Sequence, residues 1–437
     1  MPNVTKQTFK YQPKLDNYLT FIRYEYIIRT RIQKSKYIEE RINLSKFKHP
    51  AIVIGMSLGG LGVTRSLAKM GVEVFCIDTD VTTAEMKTKQ GKIVKFETLE
   101  HEKFVDDLIL FCQSLIAKPV IFSTNRNSAR LLSEHRDKFK HIAFINMPSQ
   151  KHLAELENKY FIEEYAKQAN LCTPITAYVE NPYSQESLSN FTYPCIIKPD
   201  DYSLEFSYDF HKAKIANSFE EMQTYIDAIF IKIPNIKLVV QEYIAGGDES
   251  LFFCLQYRNA NNNLISSFVG RKILSWPRST GRTCSCAPYN GSHHAKITQL
   301  TNDFFNSIPD FKGFCSIEFK YDEKRETFYL IEPSVGRTDF QQEIATLNNE
   351  NIPFKAYLDQ VNIQHDMFKP DSLPAQIWYD SSVEKWAKEE AYDTLLDSSF
   401  ARKSAYFRWR DPMPSVEMIK RKIFNKLAKL RTNTTTN

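Results

Sequence analysis

Two glutamates stand where glutamate is least expected. Glu318 lies in Phe314-Cys315-Ser316-Ile317-Glu318-Phe319-Lys320 and Glu332 in Phe328-Tyr329-Leu330-Ile331-Glu332-Pro333, both strand-like apolar runs. A carboxylate buried among such neighbours is costly unless something compensates it. A turn at Asp322-Glu323-Lys324-Arg325 joins the two runs, so they can pair antiparallel with both carboxylates side by side. Two arrangements satisfy such a pair. A cation can sit between them, and Mg²⁺ suits carboxylate oxygens combined with substrate phosphates; alternatively each carboxylate takes its own Lys or Arg.

Further residues invite the first arrangement. Lys198, in Pro194-Cys195-Ile196-Ile197-Lys198-Pro199, ends an apolar run before a proline. It either points at an anion or is a solvated strand end. Val239-Val240-Gln241-Glu242-Tyr243-Ile244-Ala245-Gly246-Gly247-Asp248 runs from an apolar strand into a polar, glycine-broken hinge. Such a hinge can offer backbone groups to an adenine edge and a carboxylate to ribose hydroxyls. His293 and His294 open a helix with no further His or Cys at zinc spacing, so capping or solvent exposure is the expectation.

The elements that must hold these groups alternate along the chain. Ala51-Ile52-Val53-Ile54 predicts a short buried strand, followed by a glycine turn, a helix over 63–70 and a strand over 72–78. That is a βαβ unit, which implies a parallel sheet covered on both faces. Strands over 119–123 and 142–145, with a helix over 129–138 between them, extend the same sheet. A helix over 151–169 opens a second region. There strands are predicted at 194–198, 237–243, 251–257, 264–270, 314–320 and 327–332, interrupted by helices near 218–232, 293–307 and 338–347. This order reads as α+β with a largely antiparallel sheet. Residues 14–45 read as helical, and 415–431 as a basic amphipathic helix with Val416, Ile419, Ile423, Leu427 and Leu430 on one face.

The glycine turn, Gly55-Met56-Ser57-Leu58-Gly59-Gly60-Leu61-Gly62, opens a helix as phosphate-binding loops do. It satisfies neither common fingerprint. Leu61 stands where a P-loop needs lysine, and Ser57 where a dinucleotide loop needs its second glycine. Asp78 sits where a ribose-binding acid would. Three readings remain open: close helix–sheet packing, a small-molecule carboxylate or substrate site, and a nicotinamide site. Only 13 glycines occur in 437 residues, where average usage predicts about 31, so four within 55–62 is a concentration.

The net charge of +5 is unevenly spread: residues 1–50 carry +7, residues 401–437 carry +8, and the middle sums to −10. An acidic middle with basic ends does not fit a nucleic-acid binder. The basic ends either pack on the acidic middle or on a second subunit, which the composition favours, or make a peripheral contact with anionic lipid. The 8 cysteines include no CxxC pair, and no run approaches the ~18 apolar residues of a membrane span. The chain therefore reads as cytoplasmic, without disulfides or structural zinc.

Taken in order, these motifs resemble the ATP-grasp superfamily of carboxylate–amine ligases, and more particularly its D-aspartate-ligase-like and surface-polysaccharide-associated members. The resemblance covers about 50–360. It implies an α/β parallel-sheet (pre-ATP-grasp) domain over 49–148 and an α+β ATP-grasp domain over 149–363, with subdomains 149–243 and 244–363. Basic helical extensions would flank these at 1–48 and 364–437. By resemblance, Lys159 and Lys198 match phosphate-binding lysines; Gln241, Glu242 and Ile244 match the adenine hinge; Asp248 matches the ribose acid. Glu318 and Glu332 match the carboxylates for Mg²⁺ (or Mn²⁺), with Ser334 where the family has a metal-binding asparagine. Arg337, Arg271, Lys272, Arg278 and Arg282 are candidates for the transferring phosphate and the substrate carboxylate. The loop 200–210 lacks the glycines of the usual flap, and Tyr202 and Ser203 would cover the phosphates instead. The implied reaction is ADP-forming: ATP activates a small carboxylate as an acyl phosphate, and an amine displaces phosphate.

Overall fold

Ala51–Ile54 (β1) is buried at all four positions, as a strand covered on both faces must be. In the computed structural model it is one of the two inner strands of a four-stranded parallel sheet, order β3-β2-β1-β4, with β2 (Val74–Asp78), β3 (Lys92–Lys95) and β4 (Val120–Ser123). The structure describes residues 47–184, 188, 191–200, 210, 213–278, 281–364, 374–389 and 400–434. The expected helical extension over 1–48 lies outside them except for its last two residues, as do Tyr202 and Ser203. The strand expected over 142–145 is reduced to one bridge, Val120 with Phe144. β3, whose Lys-Ile-Val-Lys sequence is mostly exposed at the sheet edge, has no apolar signature to announce it.

Helix α1 (Leu58–Ala68) starts five residues before the expected position, because the glycines themselves are helical. A Cβ on Gly60 would lie 2.2 Å from the Gly55 carbonyl oxygen, and one on Gly62 2.8 Å from Glu343 Cβ. Only glycine permits that approach. Helices α2 (His101–Ser114) and α3 (Arg126–Glu134) cover the other face; Asn125 caps α3 by accepting the Ser128 amide at 2.8 Å. The helix expected over 151–169 is broken, and its second part is α4 (Lys159–Gln168).

A second sheet is antiparallel, order β5-β8-β6-β7: β5 (Thr176–Val179), β6 (Cys195–Pro199), β7 (Lys214–Ala216) and β8 (Leu238–Glu242). Helix α5 (Phe219–Lys232) buries Met222, Ile226, Ile229 and Phe230 against it.

The third sheet has seven strands, order β13-β12-β9-β10-β11-β14-β15. These are β9 (Leu251–Arg258), β10 (Leu264–Trp276), β11 (Arg282–Pro288), β12 (Gly313–Asp322), β13 (Thr327–Val335), β14 (Gln376–Tyr379) and β15 (Ala401–Ser404). Helix α6 (His294–Asn306) packs Ile297, Phe304 and Phe305 into the core beneath it. The segment 364–437 is therefore not merely an extension, since it supplies the last two strands of this sheet. Its short strands had no clear periodicity because the sheet, rather than the local sequence, selects them.

A buried ionic network fastens the parallel sheet's first helix to the seven-stranded sheet. Arg65 on α1 donates from Nε to Asp411 at 2.9 Å and from Nη2 to the Tyr406 carbonyl at 2.8 Å. Glu343, on the short helix α7 (Glu343–Leu347), pairs with Arg408 at 2.7 Å and accepts the Trp378 indole N–H at 3.3 Å.

Candidate active site

β12 and β13 are antiparallel, and their register sets Glu318 directly opposite Glu332. Strand alternation then places Ser316 and Lys320 on the face that carries Glu318. These side chains line a cavity of about 370 Å³ with Lys272, Glu332, Ser334 and Arg337. Hinge residues Gln241, Glu242, Tyr243 and Ile244 close one end, joined by Lys198. Arg282, Asp339, Phe340 and Gln341 complete the wall.

Both satisfactions of the acid pair bear on this site. Lys272, itself buried, holds Glu318 with an Nζ–Oε2 distance of 2.6 Å, whereas Glu332 is exposed to the cavity. Among the described residues no cluster of three His, Cys, Asp or Glu side chains could hold a metal. A cation here would take Glu318, Glu332 and the Ser334 hydroxyl, leaving further positions for phosphate oxygens, which is how Mg²⁺ commonly binds. The donor chemistry therefore fits.

The hinge side chains are already engaged. Lys198 donates to Gln241 Oε1 at 3.0 Å, and Gln241 donates in turn to Thr176 at 3.1 Å. Glu242 pairs with Arg325 at 2.7 Å and accepts the Ile175 amide at 3.3 Å. The Tyr243 amide is taken as well, by the Pro194 carbonyl at 3.2 Å. Lys320 places its ammonium 4.3 Å from the Tyr243 ring centroid. Burial pushes that ammonium down to about 8, while Asp248, Glu249 and Glu318 pull it partly back.

At the opposite end the loop 336–341 is fixed from several sides. The Thr338 amide donates to the Ser123 carbonyl of β4 at 3.1 Å, and Asp339 accepts the Ser316 hydroxyl at 2.8 Å. Arg337 reaches Ser334 at 3.3 Å. Arg282 pairs with Asp380 at 2.9 Å and lies 4.7 Å over the Phe340 ring.

Four expected site residues do not line the cavity: Lys159, Asp248, Arg271 and Arg278. Lys159 is the first residue of α4, beside its Asn158 cap. Asp248 is 1% exposed and accepts the Ser275 amide at 2.7 Å, so its carboxylate braces β10 and is not offered to a ribose. Arg271 is turned to the Glu249 carbonyl and the Phe252 ring. His293 neither caps α6 with its side chain nor stands clear of the protein; its ring lies 4.7 Å from that of Tyr321. Asp78 folds back on the glycine turn, accepting the Met56 amide at 2.6 Å, and so holds the turn where a ribose acid would hold its ligand. Lys320 and Asp339 had escaped notice as cavity residues. Lys320 was detectable, being two residues from Glu318 on one strand; Asp339 lies in a loop and had no periodicity to reveal it.

No protein-family model matches the sequence, and no curated protein matches it. Solved structures do resemble it. N5-carboxyaminoimidazole synthetase from Staphylococcus aureus, complexed with ADP, superposes with a TM-score of 0.57 at 16% identity, covering 82% of this chain and 93% of that one. The chain has an ATP-grasp-like α/β fold. Phosphoribosylamine–glycine ligase from Thermotoga maritima gives 0.55 at 16% identity over 75% of this chain and 79% of its own. L-amino acid ligase from Bacillus licheniformis gives 0.51 at 12%, over 72% and 74%. At these identities the likeness is one of fold.

Proposed function

We propose that this chain is an ATP-dependent ligase that joins a small carboxylate to an amine, of the D-aspartate-ligase-like kind. The observation that carries the reading is the register of β12 and β13, which opposes Glu318 and Glu332 in a cavity running from the hinge to Arg337. Residues 149–363 act as the nucleotide clamp and 49–148 as the preceding domain. Lys198 meets the phosphates, the hinge 241–244 meets adenine, and Glu318, Glu332 and Ser334 hold Mg²⁺ or Mn²⁺. When bound, such an ion supplies positive charge to the phosphate oxygens. Lys272 and Arg337 orient the transferring phosphoryl and the substrate carboxylate, and Arg337 stabilises charge as it develops. The γ-phosphoryl passes to a carboxylate oxygen with departure of ADP; the amine then attacks the acyl carbon and phosphate leaves. An amino acid or acidic sugar derivative fits the cationic end, and modification of a cell-envelope or polysaccharide precursor fits the basic chain ends. We place the reaction in the cytoplasm, with peripheral contact at the inner face of the membrane and a homodimer as the working assembly.

The test is ADP release from ATP with pooled amino acids and acidic sugars, for wild type and Glu332→Ala. Release that needs both an added substrate and Glu332 supports the ligase. One observation favours a second reading, an ATP-binding scaffold without turnover: Lys272 already satisfies Glu318. ATP binding with no ADP release under any substrate condition would decide for it.

A further inference from the structure

We propose that helix α8 (Met413–Thr434) is an interfacial helix whose outward face lies on an anionic lipid bilayer. This deepens the peripheral-contact part of the proposed function and is independent of its chemistry. Three residues fasten one side of the helix. Met418 packs against the hydrophobic core, Arg421 donates to the Thr82 hydroxyl at 3.1 Å, and Lys422 donates to the Ser381 and Ser382 carbonyls, each at 3.2 Å. At about 100° per residue these three fall within one arc of the helix. Ile419, Ile423, Lys420 and Phe424 fall within the opposite arc. There Ile419 is 39%, Ile423 41% and Phe424 70% exposed. The composition favours packing of the basic ends on the acidic middle of the chain or on a second subunit; Arg421 and Lys422 do reach the chain, whereas Ile419 and Ile423 of the apolar stripe are exposed.

The stripe and its charge together define what would cover it. Residues 401–437 hold ten Lys and Arg against two acids, and both acids are spent internally: Asp411 on Arg65 and Glu417 on Arg421. In sequence, Leu427 and Leu430 continue the apolar spacing among Lys426, Lys429 and Arg431. A second copy of this helix would bring like charges together. A nucleic-acid duplex would meet the charges but leave exposed isoleucines and phenylalanine without an apolar partner. An anionic bilayer supplies both, phosphate groups at the surface and hydrocarbon a few ångströms below. Among the described residues no helix is long and apolar enough to cross a membrane, so α8 would lie in the interface plane.

The experiment is co-sedimentation of the full chain with vesicles of phosphatidylcholine alone, or of phosphatidylcholine with phosphatidylglycerol, at low and high salt. Binding is expected only with phosphatidylglycerol, and it should weaken as salt rises. Replacing the apolar stripe (Ile419→Ser with Ile423→Ser and Phe424→Ser) should lower partitioning by about tenfold or more. Lys420→Gln should lower it about fivefold. All these side chains lie outside the cavity, so ADP release and the unfolding midpoint should stay at wild-type values. The proposal is overturned if wild type fails to bind phosphatidylglycerol vesicles at low salt, or if it binds a DNA duplex in preference to them. It is equally overturned if the triple variant binds like wild type, which would assign binding to another basic segment. A wild-type chain that releases ADP but does not bind the vesicles would remove this surface and leave the ligase reading standing.

Discussion

Two regions of the molecule carry the sequence features expected of a phosphate site, and they resolve in opposite ways. At the end of β1 the glycine turn opens a helix, but its groups are turned inward. The Met56 amide is taken by Asp78, Gly62 lies against Glu343, and Arg65 is committed to Asp411. Along β12 and β13 glycine is nearly absent, yet Ser316, Glu318, Lys320 and Glu332 all face a cavity. The contrast teaches that glycine at a helix start marks close approach of backbone, whereas charge repeated on one face of a buried strand marks a site. The two regions still work together. A Cβ on Gly59 would come within 3.3 Å of the Asp339 carbonyl oxygen, so the glycine helix forms the surface on which the cavity loop 336–341 rests.

If that division is correct, damage to the first region should appear as lost stability and damage to the second as lost turnover. The largest effect is expected at Arg65. Arg65→Ala leaves Asp411, 1% exposed, without its cationic partner, and breaking such a buried pair costs about 3–5 kcal/mol. Urea unfolding would measure it, and ADP release per folded molecule should be unchanged. Glu332→Ala should do the reverse. Its carboxylate is exposed to the cavity, and removing one preorganised group from the charged site should slow ADP release by about 10²–10³. Gly62→Ala comes next. The added methyl meets Glu343 Cβ at 2.8 Å, and overpacking of this kind costs about 1–3 kcal/mol. A Gly62→Ala protein that unfolds as wild type does but no longer binds ATP would reverse the contrast.

How much of this was legible in the sequence follows from what each element depends on. β1 declares itself because burial on both faces demands an unbroken apolar run, and β12 and β13 through the apolar residues around their polar ones; the turn between them brings Glu318 and Glu332 close, and a bulge beside Glu318 sets them opposite. β14 (Gln-Ile-Trp-Tyr) and β15 (Ala-Arg-Lys-Ser) do not, because neither is apolar throughout as β1 is, and the neighbours they pair with select them. Asp248 shows the same limit at a site. Its place after the hinge suggested a ribose contact, but β10 crosses it, and the Ser275 amide needs an acceptor there. Sequence spacing locates a residue along its own strand and says nothing of the strand that arrives from 27 residues away to claim its side chain.

The smallest effect tests the contrast at its most sensitive point. Asn125 sits at the carboxyl end of the parallel sheet, where open α/β sheets usually take ligands. Its Oδ1 accepts both the Ser128 amide and the Ser128 hydroxyl at 2.8 Å, and its Nδ2 would lie 2.7 Å from a Cβ placed on Gly55. Every one of these relations is internal: Asn125 starts α3 and presses on the glycine turn. Asn125→Ala should therefore cost about 1 kcal/mol of unfolding free energy, the usual cost of losing a helix cap. ADP release at saturating ATP and substrate should remain at the wild-type rate, because the side chain lines no part of the cavity. A variant that kept its stability while losing turnover would show Asn125 contacting substrate. The carboxyl end of the parallel sheet would then be half of the active site, and its glycines would serve a ligand as well as a helix.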